Sequence, residues 1–134
     1  ASEGLNNMRI MLPMVTDVSE VDEAMRLMRK AFTEVCDEGY EIEMPQIGVM
    51  IEVPSAAYQA RALAKRVDFL SVGSNDLTQY LLAVDRNNSR VAGLYDSLHP
   101  AVLRALIQIV EGGHQEGKHV SICGELAGDP AAVM

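Results

Sequence analysis

The chain has 134 residues, 49% of them hydrophobic, a formal net charge of −8 and two cysteines, which is enough apolar content for one packed core and one domain. The acidic balance excludes broad attraction to phosphodiester backbones or anionic lipid, so nucleic acid and membrane surfaces are poor partners. No apolar run reaches the roughly 18 residues of a membrane span, and the opening ASEGLNN has no signal-peptide character, so a cytoplasmic protein is expected, with Cys36 and Cys123 as thiols.

In chain order, Met8 to Val15 (MRIMLPMV) is an apolar run too short for a helix and reads as a buried strand with Pro13 near its end. Thr16 or Asp17 can cap a helix from about Ser19 to Cys36, in which Val21, Ala24, Met25, Met28, Phe32 and Val35 form one apolar stripe. Asp37, Glu38 and Gly39 stop it. IGVMIEVP gives a second buried strand, and Ser55 opens a helix running through Ala64. Val67 to Val72 is a third strand, followed by helical pattern from about Leu77 to Val84 and a turn-rich segment from Asp85 to Ser97. Pro100 is placed to start a helix from Ala101 to about Glu116, Gly117 closes it, and HVSICGE is a fourth strand. The final GDPAAV reads as a helix start, and the chain, which begins without a methionine, is expected to be part of something longer.

Short strands buried on both faces and separated by amphipathic helices predict parallel β-α units and an α/β fold. A doubly wound sheet and a (β/α)8 barrel both satisfy that pattern. In either, the carboxyl ends of the strands share one rim, where active sites gather. The residues expected there are Pro13 and Met14, then Glu52, then Ser74, Asn75 and Asp76, then Cys123, Gly124 and Glu125.

Glu52 is the most informative of these. A carboxylate between Ile51 and Val53 at the end of a buried strand is costly unless it is paired or holds a metal. Asp76 can supply a second oxygen ligand for Mg2+, an ion commonly held by one or two carboxylates together with a substrate phosphate. Plainer roles compete. Asn75 and Asp76 suit a helix cap, Glu52 suits a structural Lys or Arg partner, Arg86 suits the solvated surface and Cys123 suits inert packing. His99, His114 and His119 share no spacing, with His99 the one placed near the rim, and the groups Met8, Met11, Met14 and Met25, Met28 read as core.

Taken together, GVMIEVP, SVGSNDLTQYLLAVDRNN and SICGELAGDP resemble, in order and spacing, the PEP-binding barrel of the Enzyme I family, the phosphoenolpyruvate-protein phosphotransferases of the bacterial sugar phosphotransferase system. The resemblance runs from MRIMLPMV to GELAGDP. Within the family, GSNDLTQYLLAVDRNN followed by YDSLHPAVLRAL is most similar to the nitrogen-branch paralogue with an N-terminal GAF domain. Pyruvate phosphate dikinase and phosphoenolpyruvate synthase share the architecture and a related GTNDLTQ-like segment, whereas the AVDRNN and CGELAGDP wording is that of Enzyme I.

The resemblance implies a partial (β/α)8 barrel, about half of a domain that takes about 250 residues when complete. It also implies Mg2+ on Glu52 and Asp76, phosphate-binding roles for Asn75 and Arg86, and Cys123 as the acid that protonates the departing enolate carbon. Phosphoenolpyruvate is the implied substrate, an HPr-like phosphocarrier the implied protein partner, and a homodimer the implied state of the full-length protein. The family's phosphoryl-accepting histidine has its own signature in another domain, which none of His99, His114 or His119 matches, so the chain by itself is expected to be inactive. A different class of reading makes the half barrel mainly a dimerisation and regulatory module, and a third makes it a related Mg2+-dependent lyase, synthase or dikinase.

Overall fold

The computed structural model describes residues 7–128. Its elements are β1 (Arg9–Leu12), α1 (Val18–Asp37), β2 (Gln46–Ile51), α2 (Pro54–Tyr58), α3 (Ala60–Ala64), β3 (Phe69–Gly73), α4 (Ser74–Leu82), α5 (Pro100–Gln115) and β4 (His119–Cys123), with 3-10 turns at Ala92–Leu94 and Glu125–Gly128. The expected helix start at GDPAAV lies outside the described residues beyond Gly128.

All neighbouring strands pair in parallel, and the sheet order is β1-β2-β3-β4. A doubly wound sheet reverses its strand order partway, so that helices cover both faces. Here the order is sequential, and with crossovers of one hand, as βαβ units have, every helix returns to the same side. One sheet face, carrying Val49, Ile51, Leu70 and Val72, is buried with Val21, Ala56, Leu63, Leu106 and Ile109 from the helices. The other face carries Arg9, Met11, Gly48, Met50, Phe69, Ser71, Gly73 and Cys123, by strand alternation. This is the arrangement of consecutive units of a (β/α)8 barrel, with the second face as the barrel interior.

Sequence reading and structure part in several places, each for a local reason. The segment 55–64 is two short helices rather than one, because Gln59 leaves helical geometry at φ −102°, ψ 9°. The helix expected from Leu77 begins at Ser74, since the Gly73–Ser74 junction turns directly from strand into helix. Met8, Met11 and Met14 are exposed rather than core. β1 is an edge strand, its Met11 faces the open interior side, and Met8 lines an apolar groove with Ile10, Met28, Phe32, Val35 and Met44. For the same reason, strand burial on both faces holds for β2 and β3 but not for the edge strands β1 and β4.

Caps and close approaches fix the register. Asp17 caps α1 by accepting from the Ser19 N–H, and Glu20 reaches back to Thr16 and Asp17 to complete a capping box. The Ser19 hydroxyl and amide hold the Asp17 carboxyl below its usual range, and the Thr16 amide does the same for Glu20. Asp68 ties the start of β3 to β2, its amide donating to Ile47 O at 2.7 Å while its carboxylate accepts from Ile47 N at 2.8 Å. α5 approaches α3 so closely that a Cβ on Gly112 would lie 2.9 Å from the backbone nitrogen of Arg61.

Two outcomes are expected. Gly112→Val should lower unfolding free energy in urea by about 1–3 kcal/mol, the cost of overpacking against backbone that cannot move aside; an unchanged midpoint would show that α5 does not seat on α3 in this way. Asp17→Ala should lower the melting temperature at neutral pH. Because both cap carboxyls titrate lower in the fold than in the unfolded chain, their contribution is present above the unfolded values and lost as the pH falls through the folded ones. The gap between wild type and variant should therefore close on acidification, and a gap independent of pH would contradict the capping role.

Candidate active site at the carboxyl rim

Glu52 follows the last residue of β2 and is 4% exposed. Strand alternation turns Ile51 toward the helices and Glu52 toward the interior. Its Oε1 accepts a 2.7 Å hydrogen bond from the backbone N–H of Met14, on the turn after β1. Met14 is left-handed at φ 52°, a conformation that costs a non-glycine residue of order 1 kcal/mol and aims this amide at the carboxylate. Oε2 lies beside Gly73 on the next strand, where a Cβ would come within 2.7 Å of it. Among the described residues Oε2 accepts no hydrogen bond and Glu52 has no Lys or Arg partner. The expected alternative of a structural basic partner is therefore not what this carboxylate has.

The first turn of α4 holds the next group. Its N-cap is Gly73, and neither Asn75 nor Asp76 makes a side-chain cap. Both are instead engaged across the rim. Asn75 Oδ1 accepts from the Glu125 N–H at 3.1 Å, which fixes the amide so that its nitrogen donors remain available. The hydroxyl of Tyr95 donates to the Asn75 carbonyl at 3.4 Å. Asp76 sits where the helix dipole favours negative charge, and its Oδ1 is 3.2 Å from Nη2 of Arg86.

Arg86 reaches Asp76 because α4 ends in a sharp reversal. Ala83 is left-handed at φ 52°, Val84 N–H donates to the Gln79 carbonyl, and Arg86 N–H donates to the Gln79 side chain at 3.2 Å. The guanidinium is half-buried rather than solvated. Its Nη1 is buried with no hydrogen-bond partner among the described residues, an unusual state for a guanidinium donor.

Cys123 ends β4 opposite Gly73. Its thiol donates to the Val72 carbonyl at 3.2 Å, and its own carbonyl accepts from Ser74 Oγ at 2.8 Å. Gly124 then turns the chain at φ +102°, so tightly that a Cβ would lie 2.5 Å from Ser74 Oγ and 2.8 Å from Asn75 Oδ1. Only glycine permits both the dihedral and the contact.

All five candidate residues, Glu52, Asn75, Asp76, Arg86 and Cys123, thus stand at the carboxyl ends of β2, β3 and β4 or on the segments leaving them. Asp76 and Arg86 touch directly, Asn75 and Cys123 are linked through the turn at Gly124, and Glu52 is tied to the end of β1. His99 does not join them; it caps α5, its Nδ1 accepting from Ala101 N–H at 3.1 Å. Sequence reading placed Ser74 on this rim without giving it a role, and overlooked the Met14 amide, Gln79 and Tyr95. A backbone N–H leaves no mark in sequence, while Gln79 and Tyr95 act through a reversal whose geometry Ala83 does not announce. Among the described residues no three His, Cys, Asp or Glu side chains gather around one point.

Comparison with known proteins gives the family. The model of the PEP-utilising enzyme, PEP-binding domain matches residues 1–134. A phosphoenolpyruvate-dependent phosphotransferase system protein of Escherichia coli K12 is 58% identical over 99% of this chain and 18% of its own length. A phosphoenolpyruvate-protein phosphotransferase of Haemophilus influenzae is 43% identical over 99% of this chain and 23% of its own. The chain therefore spans about a fifth of the curated relatives it matches. Among solved structures, a citrate lyase of Burkholderia xenovorans aligns with TM-score 0.62 and 25% identity over 85% of this chain and 35% of its own. An aldolase/citrate lyase family protein of Burkholderia cenocepacia aligns with TM-score 0.64 and 20% identity over 90% of this chain and 52% of its own, a likeness of fold alone. With its βα units in barrel order and the family's model matched end to end, the chain belongs to the PEP-binding domain family of the PEP-utilising enzymes.

Proposed function

We propose that residues 1–134 are part of the C-terminal PEP-binding barrel of a phosphoenolpyruvate-protein phosphotransferase, which passes phosphoryl from phosphoenolpyruvate to a histidine elsewhere in the protein and on to an HPr-like carrier. The observation that carries this reading is a buried, partnerless guanidinium nitrogen on Arg86 held against Asp76, on the rim where Glu52 keeps one carboxylate oxygen uncommitted. A phosphoryl group supplies the acceptor that Nη1 lacks. The finer assignments belong to the same proposal: a cytoplasmic homodimer, and the nitrogen-regulating branch rather than the sugar-transport branch, on the wording GSNDLTQYLLAVDRNN.

Mg2+ fits the donors present. Glu52 and Asp76 are hard oxygen ligands, Oε2 of Glu52 has no protein hydrogen bond among the described residues, and the absent side chain of Gly73 is what lets the Glu52 carboxylate pack against β3. Two carboxylates with water and substrate oxygens are a usual Mg2+ set. When bound, the ion would offset negative charge on the phosphoryl and carboxylate oxygens of the substrate. Arg86 and the Asn75 amide nitrogen orient and neutralise the phosphoryl group, which matters because phosphoryl transfer depends mainly on positioning and electrostatics. The P–O bond to the substrate breaks as the P–N bond to histidine forms, releasing enolpyruvate. Cys123 then gives its thiol proton to the methylene carbon, forming pyruvate and leaving the electron pair on sulfur.

In the full-length protein, Glu52→Gln and Asp76→Asn should each lower phosphoenolpyruvate-dependent histidine phosphorylation by about 10²-fold or more, the scale of losing an electrostatic contact to the transferring group. Undiminished Mg2+-dependent phosphorylation in either variant would refute the reading. Cys123→Ala should leave phosphorylation of the histidine largely intact while slowing pyruvate formation by about 10²-fold or more, as loss of a general acid does. Equal slowing of both steps would remove Cys123 from the proton-donor role.

A further inference from the structure

The interior face of β3 and β4 carries a polar feature that the proposed reaction does not account for. Ser71 is 5% exposed in the middle of β3, between Leu70 and Val72, where apolar barrel residues are the norm. Register places Ser121 of β4 directly beside it, and Gly73 beside Cys123 one layer higher. The Ser121 hydroxyl donates to Ser71 Oγ at 3.2 Å, and the Ser71 hydroxyl donates to Cys123 Sγ at 3.8 Å. The thiol hydrogen itself is directed to the Val72 carbonyl at 3.2 Å. Two hydroxyls thus form a directed chain that ends on sulfur. A cross-strand serine pair serving only itself would have no reason to end there.

Building on the reading of Cys123 as proton donor, we propose that Ser71 and Ser121 are positioning residues for that step. With the thiol intact, sulfur is a weak acceptor and the Ser71 contact is correspondingly long. Once the S–H bond breaks and the new C–H bond forms on enolpyruvate, the electron pair stays on sulfur, and the same contact becomes a charge-assisted hydrogen bond. Ser121 polarises Ser71 in the sense that strengthens it. No proton passes along the chain; the thiolate regains its hydrogen from water. The hydroxyls hold Sγ at the rim and stabilise the state it enters on giving up the proton.

The test uses the full-length protein and follows pyruvate formation separately from histidine phosphorylation. Ser71→Ala should lower kcat for pyruvate formation about tenfold, the effect of one hydrogen bond to a developing charge, with KM for phosphoenolpyruvate and the phosphorylation step unchanged. Ser71→Thr, which keeps the oxygen, should restore most of the rate, and Ser121→Ala should give a smaller loss in the same step. In a Cys123→Ala background, Ser71→Ala should produce no further slowing, because the acceptor of its hydrogen bond is gone. An unchanged kcat in Ser71→Ala, or the same fractional loss with and without Cys123, would overturn the positioning role while leaving the proton donor in place. Normal pyruvate formation in Cys123→Ala alone would overturn the donor reading, and this inference with it.

Discussion

A carboxylate buried at the end of a barrel strand governs the arrangement of this rim. Leaving Glu52 in the interior without a basic partner costs several kcal/mol if its charge is unanswered, so each neighbouring element is shaped around it. β1 contributes an amide rather than a side chain, turned inward by a left-handed Met14. β3 contributes an absence, since any side chain on Gly73 would occupy the space beside Oε2. An acidic group kept at such expense, with one oxygen accepting no hydrogen bond among the described residues, is the feature on which the proposed cation and substrate roles rest.

The same economy appears at the start of α4. In many proteins Ser-Asn-Asp after a strand would cap the helix locally. Here Gly73 takes the cap position, and the three side chains reach outward to the Cys123 carbonyl, the Glu125 amide and Arg86. The strand-to-helix corner thereby binds the end of β4 to the loop carrying Arg86. Gly124 allows this by folding the chain after Cys123 flat against Ser74 and Asn75. Arg86 is held in turn by Gln79, one turn of helix further along, so the guanidinium is positioned by the backbone and not only by its attraction to Asp76.

Family membership and site geometry carry different parts of the functional conclusion. The match to the PEP-binding domain family covers the whole chain and gives the family, while the chemistry proposed for individual side chains rests on where they stand. The likeness to citrate lyase and aldolase structures extends only to the scaffold, and a fold does not by itself carry a function.

Much of this was legible in the sequence because it is written in local periodicity. The apolar runs Met8 to Val15, IGVMIEVP and Val67 to Val72, the stripe through Val21, Met25 and Phe32, and the proline opening α5 each declare an element from its own residues. So does the placement of Glu52, Asn75, Asp76 and Cys123 at strand ends, which follows from chain order alone once the strands are parallel. The sequence could not decide between a barrel and a doubly wound sheet, since strand order is a relation between segments dozens of residues apart. It also could not reveal that Met8, Met11 and Met14 are exposed, that Gln59 breaks a helix, or that Asn75 and Asp76 leave their cap to Gly73. Which groups meet Glu52, Arg86 and Cys123 was decided by tertiary structure, because a hydrogen bond to a backbone amide or across a strand register depends on geometry that no single segment contains.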